Sequence, residues 1–141
     1  MTINFARRLA YVGGVAAPLA ETVRRWSTWR DNPPALFDDY LIGALLVYGA
    51  WRVGREARGG QRFLAAAWGV ACGMGYASFF GQLYSNRQGI VDPSRLPGAW
   101  VAAVKGLAFA LAILALVASL RRLPAGEPAS PLTRSRATPH S

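Results

Sequence analysis

Residues 96–120 read LPGAWVAAVKGLAFALAILALVASL, and this stretch carries a single charged side chain, Lys105. A membrane-spanning helix needs about 20 largely apolar residues, because the hydrocarbon core of a bilayer is about 30 Å thick. A buried helix of a soluble bundle would instead show a polar face with a period of 3.6 residues. Residues 106–120 show no such face. The stretch therefore predicts a transmembrane helix.

Two further stretches have the composition of membrane spans. Residues 63–84 (FLAAAWGVACGMGYASFFGQLY) contain no ionised group, and residues 35–53 (ALFDDYLIGALLVYGAWRV) are weaker because two aspartates stand in their second turn. Asn32 followed by two prolines predicts a helix start, and Gly59-Gly60 predicts a break between the first two spans. The sequence thus predicts an all-α, polytopic integral membrane protein, with a three-helix domain over residues 33–123.

Residues 1–32 form a basic segment whose apolar side chains recur every three or four positions. A helix of this kind lies in the headgroup plane of a membrane, although Pro18 is expected to kink or divide it. Two other interpretations stay open: a signal peptide with Arg7 and Arg8 before a short apolar region, and a fourth, short or re-entrant span. The apolar stripe consists of Phe5, Leu9, Val12, Ala16, Leu19, Val23 and Trp26.

Composition excludes a nucleic-acid-binding domain. The chain has 141 residues, with 16 Lys and Arg against 7 Asp and Glu, a net charge of +9 and only 16% charged residues, where soluble domains average roughly 25%. A nucleic-acid-binding domain interleaves its basic residues with the helical period, whereas here the charges stand between long uncharged stretches. Residues 124–141 are rich in Pro, Ser and Thr and have no apolar run, which predicts a disordered tail.

The chain also lacks the residues of common catalytic and cofactor chemistry. Cys72 is its single cysteine and His140 its single histidine, which excludes a disulfide framework and a histidine-based metal site. No histidine lies within a span to act as an axial ligand of haem or chlorophyll. No hydrolase elbow, zinc-protease motif or phosphate-binding glycine loop occurs. We therefore expect a protein that is not an enzyme and has no cofactor.

Small residues recur at every fourth position in the second and third spans. On one face of a helix they leave a groove with almost no side chain, and close backbone approach drives helix association in lipid. We expect these faces to pack on each other or on a neighbouring protein. They consist of Ala65, Gly69, Gly73, Ala77 and Gly81 in the second span, and of Gly98, Ala102, Gly106 and Ala110 in the third.

Lys105 is the one charge deep within a span. An ionised side chain in hydrocarbon costs at least about 2.5–3.5 kcal/mol, so it needs a partner or a route to water. Because the first and third spans start from the same membrane side, Asp38 and Asp39 stand at a similar but shallower depth. We predict an ion pair of Lys105 with Asp38 or Asp39. The alternatives are snorkelling of the lysine to the surface and a functional charge in transport or ligand binding.

Arginines beside the spans indicate the orientation, because cytoplasmic loops are enriched in Lys and Arg. Four arginines follow the first span and two follow the third, whereas the aspartates of the first span stand at its other end. Arg24, Arg25 and Arg30, which precede the first span, favour the opposite orientation. We predict that the first loop and the C-terminus are cytoplasmic, in a bacterial-type plasma (inner) membrane. The arginines that set this topology, or bind anionic lipid headgroups, are Arg52, Arg55, Arg58, Arg62, Arg121 and Arg122.

These features favour an accessory or assembly subunit of membrane proteins. The spans carry no catalytic residues, the small-residue faces exceed what three helices need, and the N-terminal stripe offers a docking surface. The expected partners are the lipid bilayer and other membrane protein subunits, without nucleic acid. The alternative is a small homo-oligomeric transporter or channel, in which Lys105, Asp38 and Asp39 would line the path.

Overall fold

The computed structural model of the chain describes residues 2–24, 26, 33–92, 94 and 96–121, without the side chains of residues 33–36 and 57. This part of the chain is all helical, as the sequence predicts. Its four helices are α1 (Ile3–Arg24), α2 (Pro33–Arg55), α3 (Ala57–Arg87) and α4 (Gly98–Leu120).

Within the described ranges, two helices, α3 and α4, are long and apolar enough to cross a membrane. The qualifying segments are Arg58–Arg87, with a mean hydropathy of 1.4, and Gly98–Leu120, with 2.4. They coincide with the predicted spans at 63–84 and 96–120. Helix α2 covers the weaker predicted span at 35–53. Two aspartates near the start of this helix and two arginines near its end lower its apolar character. The predicted tail at 124–141, Arg122 and the Asn32 cap lie outside the described residues.

The helices form a ring in which each packs against the next, and α4 closes the ring on α1. Neighbours run antiparallel: the Arg7 Nε atom donates a hydrogen bond to the Ala50 carbonyl (3.0 Å), and the hydroxyls of Thr22 and Tyr40 share one at 3.0 Å near the other end of α1. The start of α1 therefore lies beside the end of α2, and the end of α1 lies near the start of α2.

The chain turns between α2 and α3 at Glu56, whose backbone is extended (φ −140°, ψ 99°). The prediction that Gly59-Gly60 breaks the chain is wrong, because both glycines lie in the first turn of α3. A Cβ on Gly60 would collide with the backbone of Arg52 and Val53. These glycines therefore permit a tight helical hairpin; they do not interrupt a helix.

Helix α3 ends in a Schellman motif. Gly89 adopts a positive φ of 69°, which a residue without a Cβ tolerates. The Gly89 N–H donates to the Asn86 carbonyl (3.2 Å) and the Ile90 N–H donates to the Ser85 carbonyl (3.0 Å). These two bonds satisfy carbonyls that have no donor inside the helix and start the loop that leads to α4.

Helix α1 buries a different face from the one that its apolar pattern indicates. The residues packed inward are Ala6, Ala10, Gly14 and Pro18, which repeat at every fourth position. Most of the predicted apolar stripe faces away from the other helices, and Phe5 and Leu9 are half-buried. The large members of the stripe are the most exposed: Val12 at 65%, Leu19 at 53%, Val23 at 77% and Trp26 at 74%.

Helices α1 and α2 make backbone contact at Gly14 and Gly43. A Cβ on Gly14 would lie 2.8 Å from the Gly43 carbonyl oxygen, and a Cβ on Gly43 would collide with the Gly14 carbonyl. Pro18 does not divide α1. Because proline has no N–H, it leaves the carbonyl of Gly14, four residues earlier, without its helical donor, and that is the carbonyl that faces Gly43.

We predict that Gly14→Ala lowers the free energy of unfolding by about 1–3 kcal/mol, the usual range for overpacking. The added methyl group meets the Gly43 backbone, which cannot move aside as a flexible side chain does. Gly13→Ala is the matched control, since nothing lies within 4 Å of its Cβ position, and it should stabilise the helix by about 0.5–1 kcal/mol. Chemical unfolding followed by circular dichroism measures both, and equal effects would contradict this contact.

Candidate functional site

A cavity of about 550 Å³ lies between the four helices. Its charged lining comes from the helix ends near the α3–α4 loop: Glu21 near the end of α1, Asp38 and Asp39 near the start of α2, and Lys105 two turns into α4. Its apolar lining comes from the middle of the helices and includes Trp68, which is 4% exposed. The cavity therefore changes from charged to apolar along the bundle.

The opposite half of the bundle is closed by alanine. Ala6, Ala10, Ala50, Ala115 and Ala118 are each at most 1% exposed and belong to one core cluster. Methyl side chains allow the helix backbones to approach closely, so this half has a continuous core. The cavity lies in the other half, which contains the charged residues.

Lys105 begins a chain of hydrogen bonds that joins α4 to α3. Its ammonium Nζ donates to Gln82 Oε1 (3.0 Å), Gln82 Nε2 donates to Asn86 Oδ1 (3.1 Å), and Asn86 Nδ2 donates to the Gly98 carbonyl (2.9 Å). Gln82 is only 7% exposed. Each buried amide thus has a partner, which removes the desolvation cost of leaving it unpaired.

The structure places Asp38, Asp39 and Lys105 on the wall of the same cavity. The predicted ion pair between them stays a prediction, and Lys105 donates a hydrogen bond to Gln82. The sequence analysis missed Gln82. The available signal was the polar pair Gln82 and Asn86, which stand four residues apart and therefore share one face of an otherwise apolar helix.

An ion-pair clamp fastens the end of α1 to the α3–α4 loop. The Arg24 guanidinium contacts Asp92 at 2.9 Å and Glu21 at 2.8 Å. Burial raises the pKa of the Asp92 carboxyl, but hydrogen bonds from the Ser94 hydroxyl (2.6 Å) and backbone N–H (2.9 Å), together with Arg24, outweigh it and hold that pKa below its ordinary value. Asp92 was not among the functional residues predicted from the sequence.

Three glycines of the small-residue face predicted on α3 do not pack against the other described residues. Nothing lies within 4 Å of the Cβ positions of Gly69, Gly73 and Gly81. Ala77 is exposed and lines the cavity, and Ala65 is half-buried. This open glycine face, Gly69, Gly73 and Gly81, therefore has no contact with the part of the chain that the structure describes, and its docking on a neighbouring protein stays a prediction.

Helices α3 and α4 pack through a different pair of glycines. A Cβ on Gly75 would lie 3.1 Å from the Phe109 ring, and one on Gly106 would lie 2.9 Å from the Phe79 ring. Each phenylalanine thus fills the space above a glycine of the other helix. In the stripe predicted on α4, Gly106 and Gly98 contact α3, Ala102 is buried and Ala110 is exposed.

The predicted topology arginines of the described chain all stand at the alanine-closed end. The remaining chemistry is sparse: Cys72 is half-buried on α3, and the described residues contain no group of three or more His, Cys, Asp or Glu side chains that can hold a metal ion. No protein-family model, curated protein or solved structure matches this chain.

We predict that Asp92→Asn lowers the free energy of unfolding at pH 7 by about 1.5–3 kcal/mol, the range for hydrogen bonds to charged groups. Because the folded pKa lies below the unfolded one, the stabilisation by Asp92 is complete above the unfolded pKa and is lost as the pH falls through the folded pKa. The difference between variant and parent should therefore shrink below about pH 4.

Chemical unfolding at pH 7 and pH 3 measures this effect. Glu56→Gln is the control, because it removes an exposed carboxylate whose ion pair with Arg52 is solvated, and such surface pairs contribute little to stability, so it should change stability little at either pH. A deficit for Asp92→Asn that persists unchanged at pH 3 would contradict the clamp.

Proposed function

We propose that this chain is a small, non-catalytic integral membrane protein that serves as an accessory or assembly subunit by packing against other membrane chains. One observation carries the proposal: helices α1 and α4 bury mostly small residues and expose large apolar ones. In α4 the alanines at 102, 112, 115 and 118 are buried, while Leu107 and Leu120 are each 64% exposed and Trp100 is 70% exposed.

This arrangement is the reverse of a water-soluble bundle. In water, burial of large apolar side chains is the main favourable term of folding, and a helix buries its widest apolar stripe. In lipid, the surroundings are as apolar as leucine, so helices gain most from close contact between small residues. The inverted pattern in α1 and α4 supports lipid as the surroundings of this bundle.

We further propose that α1 and α2 cross the membrane beside α3 and α4. The support is that α1 lies antiparallel along α2, with contacts at both of its ends and at Gly14, and that its large apolar side chains face outward. These contacts favour a fourth span for α1 over an interfacial helix or a signal peptide. Arg7 and Arg8 then join the arginines of the first loop, which favours a cytoplasmic location for that end in a plasma membrane.

The open glycine face of α3 is the surface that we assign to a partner chain. Its three glycines leave the helix backbone accessible over about three turns, and no atom of the described chain occupies the space above them. A partner helix could approach this backbone closely and gain dense van der Waals contact. The monomer itself already has its helix contacts at Gly14, Gly43, Gly75 and Gly106.

We predict that Gly73→Leu leaves the monomer folded but removes it from its native assembly. The side chain enters open space within the chain, so stability in detergent should change by less than about 1 kcal/mol, partly because leucine is a better helix former than glycine. Ala103→Leu is the control, an exposed position on α4. The measurement is the mass and composition of the particle gently extracted from native membranes.

The parent and Ala103→Leu should be extracted with the same partner chain in fixed stoichiometry, and Gly73→Leu without it. An extracted particle that contains only copies of this chain would argue against the accessory role. Loss of the partner from both variants would show that the glycine face is not the contact.

A homo-oligomeric transporter or channel is the second candidate, and the charged cavity is the observation that favours it. Asp38, Asp39 and Lys105 line one open space, which is where a translocation path would need polar groups. The half of the bundle that is filled by alanines is an argument against this candidate. A translocation path would have to open through that half or run between copies of the chain.

We predict that the purified protein, reconstituted in vesicles, conducts no protons, sodium or chloride above the leak of empty vesicles, as the accessory role requires. Fluxes are followed with trapped pH- and ion-sensitive dyes. A flux that is present with the parent and vanishes with Lys105→Ala, while circular dichroism shows both folded, would overturn the accessory role in favour of the transporter.

A further inference from the structure

The end of the bundle opposite the charged cavity carries a concentration of arginine that comes from all four helices. Seven arginines stand there among the described residues, against one acidic residue, Glu56. We call this surface the basic end. Its arginines are Arg7 and Arg8 at the start of α1, Arg52 and Arg55 at the end of α2, Arg58 and Arg62 at the start of α3, and Arg121 after α4.

The fold brings these arginines together through contacts between helix ends. The Arg7 side chain reaches α2, where its Nε atom donates to the Ala50 carbonyl. Gln61 Nε2 donates to the Ser119 carbonyl (2.8 Å) and the Arg121 carbonyl (2.5 Å). Gln61 therefore links the start of α3 to the end of α4. The Arg7 hydrogen bond joins α1 to α2 at the same end of the bundle.

Aromatic rings stand immediately next to these arginines. The Arg55 guanidinium carbon lies 4.9 Å from the centroid of the Trp51 ring, and that of Arg7 lies 5.9 Å from the Tyr11 ring. Trp51 also stacks on Tyr48 at 5.7 Å. Trp and Tyr prefer the depth of lipid headgroups, because one part of each ring is apolar and another part is hydrated. In a membrane, these rings would therefore lie with the neighbouring arginines at the depth of the headgroups.

We propose that the basic end binds the headgroups of anionic phospholipids, so that one leaflet of the membrane holds this end of the bundle. Guanidinium groups match phosphate oxygens in charge and in geometry, and each arginine near an anionic surface adds to the attraction. The opposite end does not offer this match, because Glu21, Asp38, Asp39 and Asp92 are interspersed there with the basic residues.

This inference rests on the proposed membrane location, but it can fail separately. If the protein stayed monodisperse in buffer without detergent, the membrane location would be wrong and the inference would go with it. If the protein needs detergent but shows no preference for anionic lipid, only the inference about the basic end is wrong.

The test compares exposed arginines at the two ends of the same helix. Arg58 and Arg87 are the second and last residues of α3, and both are exposed. The full-length protein in neutral detergent is titrated with short-chain phosphatidylglycerol and, separately, phosphatidylcholine, and bound lipid is counted by native mass spectrometry. Arg58→Gln should weaken phosphatidylglycerol binding about fivefold, and Arg87→Gln should leave it unchanged.

A third variant tests whether the surface is shared between helices. Arg8 is exposed at the start of α1, far from Arg58 in sequence, and Arg8→Gln should weaken phosphatidylglycerol binding to a similar extent. Binding should also fall as the salt concentration rises, because exposed charges are screened.

Three outcomes would overturn the proposal: equal binding of the two lipids by the parent, an equal loss with Arg87→Gln, or no loss with Arg8→Gln. Displacement of phosphatidylglycerol by inorganic phosphate at equal concentration would also overturn it, because the site would then recognise free phosphate without needing the lipid. Circular dichroism of each variant separates loss of binding from loss of folding.

Discussion

Helices α1 and α2 meet backbone to backbone at Gly14 and Gly43, in a contact that requires both residues to lack a side chain. The antiparallel placement of α1 depends on it. That placement brings Arg7 and Arg8 to the arginines of α2 and α3, turns Glu21 towards the cavity, and sets Arg24 beside Asp92. If the two helices were farther apart, the charged residues at both ends of the bundle would no longer lie close to one another.

The remaining contacts follow the same rule of small residues on the inside. Gly75 and Gly106 each accommodate a phenylalanine of the other helix, and the alanine cluster closes one half of the bundle. Because most large apolar side chains of α1 and α4 are then left on the outside, these helices have an apolar surface that lipid solvates well and water does not. The proposed membrane location and the proposed role as a packing subunit both follow from this one inversion.

The polar groups are divided between two ends of different character. At one end, Lys105, Gln82 and Asn86 form a hydrogen-bonded chain, and Arg24 pairs with Glu21 and Asp92. At the other end, arginines stand almost without acidic neighbours beside Trp51 and Tyr11. An end at which acidic and basic side chains occur together has little need of an external counter-ion. An end with seven arginines and one acidic residue among its described residues needs one. This difference in charge is the basis of the inference about anionic lipid.

The sequence by itself determined the helical class, the approximate limits of α2, α3 and α4, and the segregation of charge, because these depend on local composition and on a period that any single helix displays. It did not determine which face of each helix turns inward. The stripe from Phe5 to Trp26 is the larger apolar face of α1, yet Ala6, Ala10, Gly14 and Pro18 pack inside, and Gly75 contacts α4 where Gly73 does not. The partner of Lys105 in α3, the clamp at Asp92 and the gathering of arginines from four helices also came only from the tertiary structure. The physical reason is that close packing depends on the fit between two surfaces. The hydrophobicity of one residue does not determine which residue of another helix it will contact.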